Sequence, residues 1–100
     1  MIELIIGKIA GTIVATRKDE GLSGMKLLIV QQYSVELKPT SNYLVAVDAV
    51  GAGADEFVLV VSGSSARATK RTEGKPVDAS IVGIIDSLYL KENKSDKKLL

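Results

Sequence analysis

Two clusters of small residues, one on each side of a short apolar run, are the part of the sequence whose residue types could bind a phosphate. The first cluster, GAGADE at residues 51–56, begins like the dinucleotide-binding pattern G-x-G-x-x-G. Backbone N–H groups bind a pyrophosphate when such a loop opens into a helix. Here Glu56 replaces the third glycine, and the β-branched residues 57–61 that follow predict a strand. The sequence therefore predicts a loop between two strands.

The second cluster begins with Ser62 and Gly63 in the stretch SGSSAR, and the segment with a helical composition, residues 64–71, follows these two residues. Ser64 is a suitable N-cap for that helix. We therefore interpret the cluster as the end of a strand that turns into a short capped helix, and not as a phosphate site, although the N-terminus of such a helix could hold an anion.

Groups suited to catalysis are scarce, because the chain has no Cys and no His. This excludes disulfides, thiolate nucleophiles and the usual general base near neutral pH. Asp48, Asp78 and Asp86 could form a carboxylate pair or a site for a hard metal ion. We favour a structural role, in which each accepts backbone N–H bonds near a strand end or meets Lys26 or Arg67. The sequence thus predicts no catalytic residue, no metal and no cofactor.

The composition indicates one small domain with an aliphatic core, since 46% of the 100 residues are apolar and only 4% are aromatic. Thirteen basic residues against twelve acidic ones give a net charge of +1, and part of the positive charge lies in the last ten residues. This balance leaves no basic stripe for nucleic acid. Stacking of bases on Tyr33, Tyr43 or Tyr89 is the alternative, but we favour packing in the core or at its rim.

The first six residues are apolar, but they include an acid and are far shorter than a membrane span or the apolar region of a secretory signal. The sequence therefore predicts a soluble, cytoplasmic protein without a membrane partner.

Five apolar runs rich in Val and Ile, separated by turn residues, predict an all-β domain. They span residues 2–14, 25–32, 43–50, 57–61 and 80–90. Gly7 and Gly11 interrupt the first run, as happens where a strand bends to serve two sides of a small barrel. We therefore expect a five-stranded, OB-like β-barrel with one short α-helix, formed by residues 1–90. Residues 91–100 are predicted to be a charged, solvated C-terminal tail.

The predicted strands are apolar on both faces, which is unusual for a monomeric barrel. Residues 43–50 read YLVAVDAV, and residues 81–86 and 26–31 behave similarly. A barrel strand exposed to water should alternate apolar and polar residues. A helix of about two turns cannot cover this surface. Another subunit is therefore expected to cover it.

Three separated segments together resemble a known family. They are GTIVATRKDEGLSGMKLLIVQ from Gly11, VAVDAVGAGADEFVLVVSGSSAR from Val45 and PVDASIVGIIDSL from Pro76. In this order they resemble the pentameric vertex proteins of bacterial microcompartment shells (EutN/CcmL-like), over residues 1 to 90. The resemblance implies an OB-like barrel with a short helix, a ring of five subunits, and no catalysis. It also implies a place in the shell of a carboxysome-type or metabolosome-type compartment, beside hexameric shell proteins.

This resemblance suggests roles for particular residues. If the loop after the third strand lies near the five-fold axis, its small residues leave a narrow pore with a negatively charged mouth; these residues are Gly51, Ala52, Gly53, Asp55 and Glu56. A structural or interface motif is assigned to Gly63, Ser64, Ser65, Arg67, Asp78 and Asp86. Rim contacts to neighbouring shell tiles are assigned to Arg17, Lys18, Asp19 and Glu20. The alternative for the pore loop is a simple hairpin turn away from the axis, and the alternative for the rim contacts is a solvated loop. The alternative function is that of an OB-fold module that binds single-stranded nucleic acid.

Overall fold

The computed structural model describes residues 3–15, 20–22, 24–63 and 78–100. Five of its strands form a barrel: β1 (Glu3–Ile13), β2 (Leu27–Tyr33), β3 (Pro39–Asp48), β4 (Phe57–Ser62) and β5 (Ala79–Ile84). Two short strands, β6 (Tyr89–Glu92) and β7 (Ser95–Lys98), form a separate hairpin, and Glu20–Leu22 form a 3-10 helix. The predicted helix at residues 64–71 lies outside the described residues.

The barrel closes in the strand order β1-β2-β3-β5-β4. Neighbouring strands are antiparallel except β3 and β5, which run parallel and pair only where Val47 lies opposite Ser80 and Asp48 opposite Ile81. This confirms the predicted five-stranded, OB-like, all-β fold. Each strand also falls within or closely overlaps one of the five apolar runs.

Strand β1 belongs to two sides of the barrel, as its two glycines predicted. Residues 3–8 pair with β4, and residues 6–13 pair with β2. The register with β2 shifts between Ile9 and Gly11, which marks a bulge. A bulge bends the strand and increases its twist, so it lets β1 leave β4 and continue along β2.

Gly7 permits a close approach of β1 and β2. A Cβ atom at this position would collide with Cγ1 of Val30 and lie 2.9 Å from the carbonyl oxygen of Gln31. Val30 is fully buried, so its side chain has no free space to move into. The absence of a side chain at residue 7 is therefore a packing requirement of the barrel.

The barrel interior is aliphatic, as the composition predicted. Side chains of all five strands and of the loop after β3 form one buried cluster, namely Ile5, Ile9, Leu28, Val30, Ala46, Ala52, Val58, Val60 and Ile81. Tyr33 and Phe57 meet edge to face outside this cluster, with ring centroids 5.1 Å apart. Tyr33 therefore packs at the rim, one of the two places favoured for it from the sequence.

The C-terminal residues differ from the prediction of a tail. Residues 91–98 are exposed to solvent and Leu99 and Leu100 are half-buried, but residues 89–98 form the β6–β7 hairpin. Asn93 has φ of 59°, a left-handed conformation that Asn tolerates in turns. The segment lacks an apolar period because water reaches both of its strands, and this is why the sequence pattern did not reveal them.

Replacing Gly7 by Ala should destabilise the protein by about 1–3 kcal/mol, the usual cost of adding a methyl group to a filled core. Gly83→Ala is the matched control, because a Cβ there would lie 3.7 Å from Cβ of Leu59, an ordinary contact. Urea denaturation at one fixed protomer concentration measures both variants. If Gly7→Ala unfolds at the same urea concentration as Gly83→Ala, the close approach of β1 and β2 is not a constraint.

Candidate functional site

The loop at residues 51–56, between β3 and β4, is fixed from its first residue by a buried carboxylate. Asp48 ends β3 and is only 4% exposed. Its Oδ1 accepts hydrogen bonds from the backbone N–H groups of Val50 and Gly51, at 3.0 and 2.9 Å. Gly51 has φ of 79°, a conformation that favours glycine. This confirms the structural role predicted for Asp48.

The second half of the loop is closed by its own glutamate and by β1. A carboxylate oxygen of Glu56 accepts the backbone N–H of Gly53, and the N–H of Glu56 donates to the carbonyl of Gly53 at 3.3 Å. Asp55 and Glu56 are joined to the backbone of Ile9 by two hydrogen bonds, of 3.3 and 3.0 Å. The loop thus directs its N–H groups at carboxylates and carbonyls of its own chain, and this arrangement does not form a phosphate cradle.

Different contacts explain why individual residues of the loop are small. Ala52 is 1% exposed and belongs to the barrel core, and the Nζ of Lys26 lies 3.5 Å from its carbonyl oxygen. A Cβ at Gly53 would lie 3.1 Å from the Glu56 carboxylate. Ala54 and Asp55 are exposed at the tip of the loop. Close approach within the subunit therefore accounts for Ala52 and Gly53.

Asp86 lies beside this loop, although the sequence grouped it with the SGSSAR motif. It lines a recess of about 320 Å³ together with Asp55, Glu56, Phe57, Ile84, Ile85 and Leu100. The recess is lined by apolar residues and three carboxylates, and the sequence did not predict it. One signal that was missed is the return of the C-terminal segment, since Leu100 is among the lining residues.

The remaining predicted site residues are dispersed. The backbone N–H of Gly63 donates to the carbonyl of Asp78 at 2.8 Å, so these two residues do meet. Glu20 is exposed in the 3-10 helix. Six of the predicted residues lie outside the described part of the chain, namely Ser64, Ser65, Arg67, Arg17, Lys18 and Asp19.

The described residues contain no group of three or more His, Cys, Asp or Glu side chains arranged to hold a metal ion. Within the same residues, no helix has the length and apolar character needed to cross a membrane.

The outer surface of the barrel carries two apolar patches. The first, which we call the β2–β3 patch, includes Tyr43 and Val45, which are 58% and 50% exposed, with Ile13, Leu27 and Ile29 beside them. The second, the β1–β4 patch, is centred on Leu4, which is 66% exposed and lies opposite Val61. These patches are the apolar outer faces that the sequence predicted.

Comparison with known proteins agrees with the fold. Residues 4–86 match the model of the family described as ethanolamine utilisation protein EutN/carboxysome. The chain is 45% identical to the microcompartment shell vertex protein GrpN of Rhodospirillum rubrum, over 85% of this chain and 96% of that protein. It is 46% identical to the carboxysome shell vertex protein CcmL of a Synechocystis strain, over 83% of each.

Solved structures give the same result. The structure of GrpN, a pentameric microcompartment shell protein, superposes with a TM-score of 0.78 at 43% identity, over 88% of this chain and 99% of that one. EutN of Escherichia coli superposes with a TM-score of 0.79 at 34% identity, over 96% of this chain and 95% of that one. The chain therefore belongs to the EutN/CcmL family of bacterial microcompartment shell vertex proteins.

Proposed function

We propose that this chain assembles into a ring of five that caps the vertices of a polyhedral bacterial microcompartment shell in the cytoplasm, and that it catalyses no reaction. The observation that carries the proposal is the apolar outer surface of the barrel. Exposed side chains such as Leu4, Tyr43 and Val45 would promote aggregation unless a partner covered them. The relatives named as shell vertex proteins, one of them described as pentameric, supply the arrangement.

The position of the two patches suits a head-to-tail ring. In such a ring each subunit offers one surface to the subunit before it and a different surface to the subunit after it. The β2–β3 patch and the β1–β4 patch lie on different strand pairs, so one subunit can present both at once. A two-fold dimer would need only one self-complementary patch and would leave the other exposed.

We place the loop at residues 51–56 near the five-fold axis of this ring. Its tip carries Ala54 and Asp55, both exposed, so five copies would form a ring of small residues and negative charge. Glu56 contributes less to such a ring, because its carboxylate is engaged by Gly53. The pore mouth would therefore owe its charge mainly to Asp55.

The partners at the outer rim are the hexameric tiles of the shell. Tiles with six-fold symmetry cover a plane but cannot close it, because closure requires five-fold points. A ring of five supplies such a point without any reactive group. We assign the rim contact to the charged loop that contains Arg17, Lys18, Asp19 and Glu20. Many weak charge pairs repeated five times give a combined strength that no single pair has.

The purified chain should have the mass of a pentamer in native mass spectrometry. Val45→Asp should dissociate it, because burying a carboxylate in an apolar contact costs about several kcal/mol per charge. Val35→Asp is the matched control, since Val35 is 59% exposed in the turn between β2 and β3, outside both patches. A monomeric or dimeric parent protein at micromolar concentration would contradict the proposed ring.

A labelled single-stranded oligonucleotide should show no saturable binding at physiological salt. Phosphate binding requires clustered basic residues, and this chain has a net charge of only +1. Fluorescence anisotropy measures the affinity directly. Sub-micromolar binding that weakens steeply with added salt would favour the alternative, a module that binds single-stranded nucleic acid.

Deleting the gene should leave elongated or unclosed compartments, while the encapsulated enzymes keep their specific activity in lysate. Electron microscopy of the deletion strain and of the complemented strain compares shell closure, and assays after lysis compare enzyme activity. Closed polyhedra in a deletion strain that has no other vertex protein would contradict the vertex role. Loss of enzyme activity in lysate would instead indicate a catalytic or regulatory role.

A further inference from the structure

The C-terminal hairpin stands apart from the barrel and has little to hold it in place. Strands β6 and β7 pair with each other, and two backbone hydrogen bonds, from Leu99 to Leu88 and from Leu88 to Leu100, continue this pairing at its base. Every side chain of the two strands except Leu90 is exposed. An isolated two-stranded hairpin is only marginally stable in water. A further surface is therefore needed to keep this hairpin ordered.

The two faces of the hairpin differ. Residues directly opposite each other in an antiparallel pair share a face, so one face carries Leu90, Glu92, Ser95 and Lys97. Three residues of this inner face, Leu90, Glu92 and Lys97, line a cavity of about 270 Å³ together with Lys91, Leu99 and the turn residues Glu36 and Lys38. The outer face carries Tyr89, Lys91, Asp96 and Lys98. Tyr89 is 58% exposed there and lies opposite Lys98.

The recess beside the loop at residues 51–56 is the chemical complement of that outer face. Phe57, Ile84 and Ile85 give it apolar walls, and three carboxylates border it, those of Asp55, Glu56 and Asp86. Its volume of about 320 Å³ is sufficient for a tyrosine ring. Within the described ranges, none of these carboxylates forms an ion pair with a hairpin lysine of the same chain.

We infer that the outer face of the hairpin docks into this recess on the next subunit of the ring, an interaction that rests on the proposed pentamer. Tyr89 enters the recess with its apolar ring against the apolar walls and its hydroxyl towards solvent. Lys98 approaches the carboxylate of Asp86, because the carboxylate of Glu56 already accepts the N–H of Gly53. Residues 91–98 carry four lysines and two acids, so the hairpin is positive and the recess it meets is negative.

The occupant is a second copy because the hairpin and the recess are different surfaces of one chain. A contact between unlike surfaces continues head to tail, and it forms a ring when the rotation between subunits closes, as it does in the proposed pentamer. The hairpin extends about five residues beyond its base, or about 16 Å at the rise of a β-strand. The molecule measures 50 × 23 × 22 Å, so this reach is a large fraction of the width of one subunit. Near a five-fold axis, adjacent subunits are closest, and a short arm can cross between them.

The hairpin strengthens the ring but does not set the number of its subunits. The family model ends at residue 86, before the hairpin begins. The part of the chain that the family shares therefore stops short of the hairpin, and the apolar patches of the barrel lie within that part. Removing the docking contact should therefore leave a pentamer that dissociates more readily.

Charge reversal on the two faces of the hairpin tests the inference. Lys98→Glu reverses a charge on the outer face, beside Tyr89, and Lys97→Glu makes the same change of net charge on the inner face, beside Leu90. The outer variant should dissociate on dilution at a protomer concentration at least about tenfold higher than the control variant. Native mass spectrometry over a dilution series measures both. If the two variants dissociate at the same protomer concentration, the inference is overturned, but the proposed pentameric assembly is not contradicted.

Disulfide trapping identifies the partner surface, because the natural chain has no cysteine. A size-tagged Lys98→Cys chain is mixed with an Asp86→Cys chain, the subunits are exchanged, and the ring is oxidised. A tagged–untagged dimer is expected, and it should be much weaker when Lys97→Cys, on the inner face, replaces Lys98→Cys. Equal trapping of both, or trapping only within a species of ten subunits, would overturn docking onto the neighbour in the same ring. A parent protein that never forms five would instead contradict the proposed function.

Discussion

The structure depends on burying apolar surface on both sides of thin strands. The barrel interior takes one side of each strand, and its aliphatic cluster is filled by short side chains from all five strands. The other side cannot be buried by a chain of 100 residues, because a domain of this size buries only about 60–70% of the surface of its unfolded chain. Exposed Leu4, Tyr43 and Val45 are the consequence. Assembly then completes the burial that folding begins.

Hydrogen bonds within the chain explain why the glycine-rich loop is not arranged as a phosphate-binding or catalytic loop. Asp48 and Glu56 use their carboxylates to accept the backbone N–H groups of Val50, Gly51 and Gly53, so these donors are occupied. A catalytic or phosphate-binding loop needs the opposite arrangement, with donors directed at a ligand. Ala52 and Gly53 are small because of contacts within the subunit. The exposed tip, Ala54 and Asp55, is the part that would face the axis in the proposed ring.

The sequence predicted the parts of the structure that depend on local patterning. Runs of Val and Ile located the five barrel strands, and Gly7 and Gly11 indicated that β1 bends, because these signals act within a few residues. The role of Asp48 also followed, since a carboxylate at a strand end has backbone N–H groups within reach. The apolar outer faces could be predicted because alternate residues of a strand point to opposite faces. A strand that is apolar at nearly every position therefore has no polar face for solvent.

Features that depend on contacts distant in sequence were not predicted. Residue 7 has no side chain because Val30 and Gln31 of β2 lie too close to it, and the sequence of β1 does not reveal these neighbours. The recess of Asp55, Glu56 and Asp86 includes Leu100, at the far end of the chain, among its lining residues. The hairpin was not predicted because the strands of an exposed hairpin have no apolar period. The residue that could have indicated it is Asn93, which forms its turn. The positions of Ser64, Ser65, Arg67 and the loop from Arg17 to Asp19 stay predictions.

A ring built from such subunits can use different contacts for two properties, the number of its subunits and its resistance to dissociation. In the proposed ring, the apolar patches on the barrel would determine which surfaces meet and therefore how many subunits close the ring, because close-packed apolar contacts tolerate little change of angle. The proposed contact of the hairpin would add strength without specifying that angle, since a short two-stranded arm joined to the barrel only at its base can adjust its direction. A vertex that closes a shell would need both properties, a strict five-fold symmetry and resistance to dissociation.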